Sequence, residues 1–318
     1  MFDIGIIITI ASLLISILTP FIGMLTDYYG RKPLIVLTGL FLVFALILAG
    51  YTKAFIMLVI AYTFSILSFM AGQPARGALL AESVSPEKMG EAFGFVTTSF
   101  VLSRVLIPPI AGYTADIFGY QYTFLIGALI VSIGVAIFWI YGIETLSKSR
   151  SLATLRSLFQ LLKPSRSLSW LYFGVILDRF AWSLWMPILN AYIMAIYGFS
   201  AAEVGILNSL TGVSTLLTQY LAGKLIDKIG YILGLVISEF SAFLASIFIG
   251  STNMLAILLI ALILIGISIS IWIPAYNNAV SLNTESRYRA LEYSKINSYR
   301  TFAAVPAPYI GGYLIDYI

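Results

Sequence analysis

Residues 23–34 read GMLTDYYGRKPL, and residues 223–233 repeat the pattern as GKLIDKIGYIL. Each copy places a glycine, an aspartate and a second glycine at the same spacing, and the copies stand 200 positions apart. Because glycine and proline punctuate helices, their coincidence along the chain indicates a duplicated architecture of two similar halves. The residues that match the residue 200 positions later include Gly5, Gly23, Gly30, Gly50, Gly112, Pro74, Pro108, Asp27 and Asp116.

The chain is more apolar than a soluble domain can be. Of its 318 residues, 60% are hydrophobic and 10% are charged, and the mean hydropathy is +0.98. Apolar stretches recur that are long enough to cross a hydrocarbon layer of roughly 30 Å as helices. They predict an all-α, polytopic membrane protein with ten transmembrane helices, at about 4–25, 34–52, 55–81, 92–112, 121–142, 169–197, 201–222, 231–250, 254–281 and 292–316.

Several function classes are excluded by what the sequence lacks. The chain has no cysteine and no histidine, which removes disulfides, thiolate and imidazole metal sites, and Ser-His or Cys-His catalysis. We therefore expect no enzyme, no metal and no cofactor. The net charge of +4 gives no reason to expect a nucleic-acid partner. No G-x4-G-K-[ST] loop is present, so ATP is not the direct energy source, and no basic segment that would mark a cleaved signal peptide precedes the first apolar stretch.

The basic residues indicate how the chain is oriented. Loops on one side of the predicted bundle carry 12 of the 18 Lys and Arg residues, whereas the opposite loops carry only Lys53. Basic loops are cytoplasmic. We therefore expect a multi-pass protein of the cell membrane with the motif loops inside and both ends of this chain outside. The twelve are Arg31, Lys32, Lys88, Lys148, Arg150, Arg156, Lys163, Arg166, Lys224, Lys228, Arg287 and Arg289.

The repeat predicts the domain organisation. Equivalent loops fall on the same face, which makes the repeat a parallel one. The spans at 121–142 and 169–197 have no equivalent within the chain, so the pattern predicts a twelve-helix protein without its first and last spans; a genuine ten-helix protein is the alternative. Within the linker, leucines at helical spacing beside basic residues predict an amphipathic helix on the inner surface, and a solvated linker is the alternative. The predicted units are a helical bundle at 1–142, the cytoplasmic linker at 143–168 and a second bundle at 169–318.

The first copy of the motif resembles the G-x-x-x-D-[RK]-x-G-[RK]-[RK] signature of the major facilitator superfamily, and its recurrence in the second half is typical of that family. The resemblance implies a two-bundle fold that moves a small solute across the lipid bilayer by alternating access, with a coupling ion such as H+. A partial match to a Gly- and Pro-rich signature of the family's drug exporters, at Gly94, Pro108 and Gly112, favours efflux by antiport. The alternative is a transport-incompetent, truncated or sensor-like membrane protein of the same fold.

By this resemblance the motif forms a gate at the inner face. Asp27 and Arg31 would make contacts that hold one conformation and release in another, and Glu82 is a candidate partner for Arg31. Tyr231 and Ile232 stand where the first copy has Arg31 and Lys32, so only the first half is predicted to carry a charged latch. A role of the two basic residues in membrane orientation alone is the alternative. The remaining motif positions are Gly23, Gly30, Gly223, Asp227 and Gly230.

Ionisable residues inside a bilayer cost about 2.5–3.5 kcal/mol on insertion scales, so each one suggests a function. Asp178, Trp182 and Trp185 share a helical stripe that predicts a cavity wall, with Asp178 as the contact for substrate or cation. Arg104 is a candidate for binding an anionic substrate or for holding Asp178. A local charge pair that includes Arg179 is the alternative, and Glu239 is predicted to have a packing role. Other polar residues predicted along the path are Gln73, Arg76, Asn208, Gln219, Asn277, Asn278 and Arg300.

Overall fold

The computed structural model of the chain describes residues 1–85, 88–145, 164, 168–251, 254–284 and 289–317. Within its helices, the side chains of residues 17, 19–29, 74, 89, 90, 93, 289–291 and 294 lie outside that description. Every regular element among the described residues is a helix, which confirms the predicted all-α fold. The amphipathic helix predicted in the linker lies outside the described residues.

The helices follow the ten predicted stretches in order, and two of the stretches are each divided into a consecutive pair of helices. The first half contains α1 (Phe2–Tyr29), α2 (Arg31–Tyr51), α3 (Phe55–Ser83), α4 (Met89–Phe118) and α5 (Tyr120–Tyr141). The second half contains α6 (Ser169–Trp185), α7 (Leu189–Tyr197), α8 (Ala201–Ile229), α9 (Tyr231–Ser251), α10 (Leu255–Leu282), α11 (Arg289–Ala304) and α12 (Ala307–Tyr317).

In the described part of the chain, seven helical stretches are long and apolar enough to cross a membrane. They are α2, α3, most of α4, α5, the α6–α7 pair, α9 and α10. The chain is therefore a multi-pass membrane protein, and the count of ten crossings stays a prediction.

The two motif copies share one backbone turn. Gly30 joins α1 to α2 at a φ of +106°, and Gly230 joins α8 to α9 at a φ of +82°. L-residues with a side chain rarely adopt these angles, whereas glycine adopts them without steric cost. The second glycine of each copy is therefore required by the reversal between two spans.

Small and hydroxyl-bearing residues hold the second half together. Gly266 of α10 lies so close to α8 that an added Cβ would approach the Thr211 carbonyl oxygen to 2.7 Å. The Thr215 hydroxyl donates to the Gly266 carbonyl at 3.2 Å, and the Ser238 hydroxyl of α9 donates to the Ser268 carbonyl at 3.0 Å. In a bilayer, where apolar burial gives helices little reason to associate, close approach and hydrogen bonds supply the attraction.

The halves meet along two seams. In the first seam α4 packs on α8, and in the second seam α1 packs on α12. Since α8 is the repeat equivalent of α1, and α12 belongs to the repeat equivalent of α4, the two seams are the same contact with the halves exchanged. This is the arrangement expected of a parallel repeat. We call the end of the bundle that holds Met1, Asp116, Ala201 and Asp316 the seam end, and the opposite end, with Gly30 and Gly230, the motif end.

Candidate functional site

A charged network lies in the interior of the second half. Asp178 of α6 is 9% exposed, and its Oδ2 lies 3.5 Å from Nη2 of Arg300 on α11. The carboxyl group of Glu239 on α9 lies near enough to that of Asp178 for the two charges to interact. Three helices of one half therefore bring two acids and one base together inside the bilayer.

Two carboxyl groups this near each other favour a state in which they hold one proton between them. An ionised carboxylate can only accept hydrogen bonds, so a hydrogen bond between two carboxyl groups needs one of them to be protonated. Two like charges at such a distance would also repel each other strongly in a medium of low dielectric constant. Oε1 of Glu239 is buried without a hydrogen-bond partner. The network thus has a place to hold a proton and a group that lacks its full set of partners.

Arg300 is held by aromatic rings as well as by Asp178. Its Cζ lies 4.4 Å from the ring centroid of Trp272 and 5.6 Å from that of Tyr276, and these two rings stack at 4.7 Å. A guanidinium over the face of an aromatic ring is attracted by the ring quadrupole, and the attraction grows when water is excluded. The α10 rings therefore help to keep a positive charge inside the second half.

Arg179 connects the charged network to the first half of the chain through electrostatic interactions. It is partly buried, and its charge interacts with Asp178 and Arg300 on one side and with Tyr62 of α3 on the other. Tyr62 lines a cavity of about 330 Å³ whose walls are almost wholly apolar. Four helices of the first half form this cavity together with Pro187 of the second half. The charge of Arg179 therefore acts on a tyrosine in the wall of this cavity.

The structure divides the predicted stripe of Asp178, Trp182 and Trp185. Asp178 lies in the network, whereas the two tryptophans stack on each other at 5.3 Å and pack against the apolar core of the second half. The tryptophans therefore take part in core packing.

Arg104 and Glu239 are candidates for roles near Asp178 or in packing. Arg104 is exposed on α4, and Arg300 forms the ion pair with Asp178 instead. The carboxyl group of Glu239, for which the sequence predicts a packing role, lies near that of Asp178. The roles of Arg104 and Glu239 stay predictions.

The remaining polar candidates lie away from the network. The Asn208 amide donates to Oδ1 of Asn190 at 3.1 Å, and the backbone carbonyl of Asn277 accepts from the Tyr293 hydroxyl at 3.2 Å. Gln73 is exposed, and Asn278 is partly buried. Their assignment to a solute path stays a prediction.

At the motif end, the first copy of the motif anchors a latch. Arg31 is 8% exposed, and its Nη2 lies 3.3 Å from Oε1 of Glu82 at the end of α3. The Glu144 carboxylate, just after α5, accepts hydrogen bonds from the backbone N–H groups of Arg31 at 3.0 Å and Lys32 at 2.9 Å. Glu82 also accepts a hydrogen bond from the Thr145 hydroxyl. Among the described residues, the latch joins three segments of the first half.

Two parts of the predicted gate are not described. Gly23 and Asp27 both belong to α1, but their surroundings lie outside what the structure describes. The gating role of Asp27 and Arg31 therefore stays a prediction. Lys32 places its Nζ 5.3 Å from the ring centroid of Trp139.

The second motif copy is bonded differently. Tyr231 stacks on Trp170, with ring centroids 6.1 Å apart, and its hydroxyl accepts from the Asn283 amide at 3.2 Å. Gly223 is partly buried, and Asp227 is exposed and forms no ion pair with any described residue. Within the part of the chain that is described, a charged latch is found at the first copy alone.

Comparison with known proteins gives a consistent result. The model of the Major Facilitator Superfamily matches residues 1–171 and 171–318. The chain is 30% identical over 233 residues to the multidrug resistance protein MdtG of Proteus mirabilis, a match that covers 71% of this chain and 57% of that protein. It is 27% identical over 320 residues to MdtG of Dickeya zeae, covering 96% of this chain and 76% of that protein.

Solved structures share the fold at low identity. The nucleoside transporter NupG superposes with a TM-score of 0.83 at 12% identity, covering 99% of this chain and 83% of that one. A bacterial homologue of the human lysosomal transporter Spinster, inward-facing and unoccupied, superposes with a TM-score of 0.76 at 15% identity, covering 97% and 73%.

Proposed function

Because this chain belongs to the major facilitator superfamily, we propose that it is a secondary transporter that exports a small solute by alternating access, in exchange for protons. The network of Asp178, Glu239 and Arg300 is the observation that carries this proposal. The relatives named for multidrug resistance support export and a drug-like solute. The two halves rock about a site near the membrane midplane, as in other parallel-repeat transporters.

The network has the properties that ion coupling needs. Each ionisable group inside a bilayer costs about 2.5–3.5 kcal/mol on insertion scales, so a cluster of them needs a function that compensates for the cost. Loss of the proton shared by Asp178 and Glu239 changes the net charge of the network by one. Since α6, α9 and α11 each contribute one member, that change of charge alters the attraction between three helices and so biases their arrangement.

The orientation follows from the basic loops. We assign the motif end to the cytoplasm because it carries most of the chain's basic residues. The halves are in contact at the seam end, which then faces outward. In this assignment the seam end at which the halves join lies outside, opposite the cytoplasmic side on which an exporter loads its solute.

Reconstituted vesicles test the proposal. The purified chain in liposomes that contain a pH-sensitive dye is given a panel of labelled antibiotics and dyes, with and without an imposed pH gradient. We expect the gradient to accelerate movement of at least one solute and that solute to shift the internal pH. Asp178→Asn and Glu239→Gln should abolish the dependence on pH, whereas Asp3→Asn, an exposed acid of α1, should not.

Two results would contradict the proposal in separate ways. Solute movement that ignores the pH gradient in the unaltered chain would remove the exchange with protons. Failure to move any member of the panel would remove the export of drug-like solutes. Size-exclusion profiles of each variant ensure that a loss of transport is not a loss of folding.

A further inference from the structure

Two carboxylates join the halves at the seam end. Asp116, near the end of α4, accepts hydrogen bonds from the backbone nitrogens of Ala201 at 3.0 Å and Ala202 at 2.8 Å, at the start of α8. Asp316, near the end of α12, accepts from the nitrogens of Met1 at 2.9 Å and Phe2 at 2.8 Å, at the start of α1. Each contact crosses from one half to the other.

These contacts are repeat equivalents of each other. Asp316 stands 200 positions after Asp116, and Ala201 and Ala202 stand 200 positions after Met1 and Phe2. The two carboxylates thus bind the starts of equivalent helices, Asp116 through both of its oxygens and Asp316 through Oδ2, which accepts from the Met1 amino group and the Phe2 N–H. Such agreement at both seams makes an accidental surface contact an inadequate explanation.

Close backbone contacts surround both carboxylates. An added Cβ on Gly5 would approach the Pro308 carbonyl oxygen to 2.3 Å, and one on Gly205 would approach the Pro108 carbonyl oxygen to the same distance. A Cβ on Gly312 would lie 2.9 Å from the Met1 carbonyl oxygen. Its equivalent, Gly112, is pressed against the Ala201 carbonyl in the same way. No side chain separates the halves at these points.

A hydroxyl group completes each seam. The Thr9 Oγ1 accepts a hydrogen bond from the Tyr309 backbone nitrogen at 3.0 Å, and the hydroxyl of Ser209, its repeat equivalent, donates to the Val105 carbonyl. Both bonds join α1 or α8 to the other half. The two hydroxyls therefore stand at equivalent positions, but one accepts and the other donates, and their partners in the opposite half are not equivalent.

We propose that Asp116 and Asp316 form twin clasps that hold the seam end closed, and that both clasps must release before this end opens. A carboxylate at a helix N-terminus satisfies N–H groups that lack partners within the helix and is attracted by the positive end of the helix dipole. Both carboxylates are exposed, so each contact is weak enough to break during a transport cycle. The inference rests on the proposed alternating access, but its test needs no solute.

Distances between spin labels test the clasps directly. Because the chain has no cysteine, Tyr51→Cys and Met254→Cys place single labels on the two halves at the seam end, at positions 67% and 62% exposed. Ile143→Cys and Leu282→Cys, both 72–77% exposed, report on the motif end. Pulsed electron spin resonance then gives the populations of short and long distances at each end.

We expect Asp116→Asn or Asp316→Asn alone to raise the open-to-closed ratio at the seam end about twofold to fivefold, and the double variant to raise it by the product, up to about 25-fold. The motif-end distance should shorten in the same molecules, since rocking closes one end as it opens the other. Asp3→Asn removes a neighbouring exposed carboxylate of α1 that makes no such contact, and should leave both distances unchanged.

Two outcomes would overturn the proposal. A double variant that is monodisperse but keeps the unaltered distance distribution would show that the clasps carry no restraint. A lengthening at both ends would show that they hold the halves together without gating. If the double Asn variant does not fold, Asp116→Glu with Asp316→Glu retains the charges but displaces the carboxylates, and an unchanged ratio in that variant would also refute the clasps.

Discussion

The two halves hold their charged contacts at different depths. In the first half, Arg31, Glu82 and Glu144 meet at the motif end, where the loops leave the helices. In the second half, Tyr231 occupies the position of Arg31 and Leu282 that of Glu82. One ion pair of this half lies inside the bilayer between Asp178 and Arg300, and another joins Lys295 to Glu292 near the start of α11.

This difference shows that the turn glycines are the same in both halves, whereas the charged residues differ. Gly30 and Gly230 keep the same positive φ, because the chain needs this backbone conformation to reverse between two spans. The charges are less constrained, since an exposed ion pair contributes little to stability. The halves could therefore diverge, one gaining a latch at the membrane edge and the other an interior network.

The largest effect is expected in the interior of the second half. Arg300→Met should lower the free energy of unfolding by about 3–5 kcal/mol, because it leaves a buried acid without its counter-charge. Adding Asp178→Asn should restore most of the loss, since the remaining amide carries no charge. Unfolding of the purified variants in detergent measures both, and a double variant no more stable than Arg300→Met would show that the pair is not coupled.

A smaller effect should distinguish the two turn glycines. Gly30→Ala and Gly230→Ala each force a side chain into a conformation with positive φ and extended ψ, at about 1–3 kcal/mol. Gly30→Ala should cost more, because its Cβ would lie 2.5 Å from the Glu144 carboxylate, whereas nothing lies within 4 Å at Gly230. Thermal unfolding followed by tryptophan fluorescence gives the order, and equal losses would remove Glu144 from the explanation.

The carboxylate of Glu144 should contribute about 0.5–2 kcal/mol through the first turn of α2. Glu144→Gln should lower the apparent unfolding temperature, and the loss should diminish at high salt because the contact is partly exposed. Asp227→Asn is the matched control at the second motif copy, where the acid has no described partner. An equal response of the two variants would mean that the latch adds nothing to the first half.

The smallest effect is expected when the latch is copied into the second half. Tyr231→Arg with Leu282→Glu rebuilds the pair of Arg31 and Glu82 at an exposed position, worth about 0–1 kcal/mol. The change also removes the stack of Tyr231 on Trp170, so the net change in unfolding temperature should be close to zero. A large stabilisation would show that the second half lacks the latch for reasons other than energy.

The sequence predicted best what depends on local geometry. The apolar stretches follow from hydropathy, and the parallel repeat follows from the matched positions of Gly, Pro and Asp 200 residues apart. The pairing of Arg31 with Glu82 was also anticipated, because both residues flank the same loop side of the bundle.

Contacts between distant helices could not be predicted in the same way. Asp178 was singled out by its charge, but its partner Arg300 lies 122 positions away, and a single sequence does not say which faces of two helices meet. The repeat positions Gly5, Pro108, Gly112 and Asp116 were noticed as coincidences. Their common cause, that all four lie where the halves meet, is visible only in three dimensions.

The way in which the halves meet also bears on the speed of transport. At Gly5 and Gly205 main chain lies directly on main chain, whereas beside Gly5 the Phe2 ring packs on Tyr309, Tyr313 and Tyr317 of the other half. If the seam end opens as proposed, the barrier to switching therefore includes the separation of these aromatic rings as well as the loss of the polar bonds at the rim.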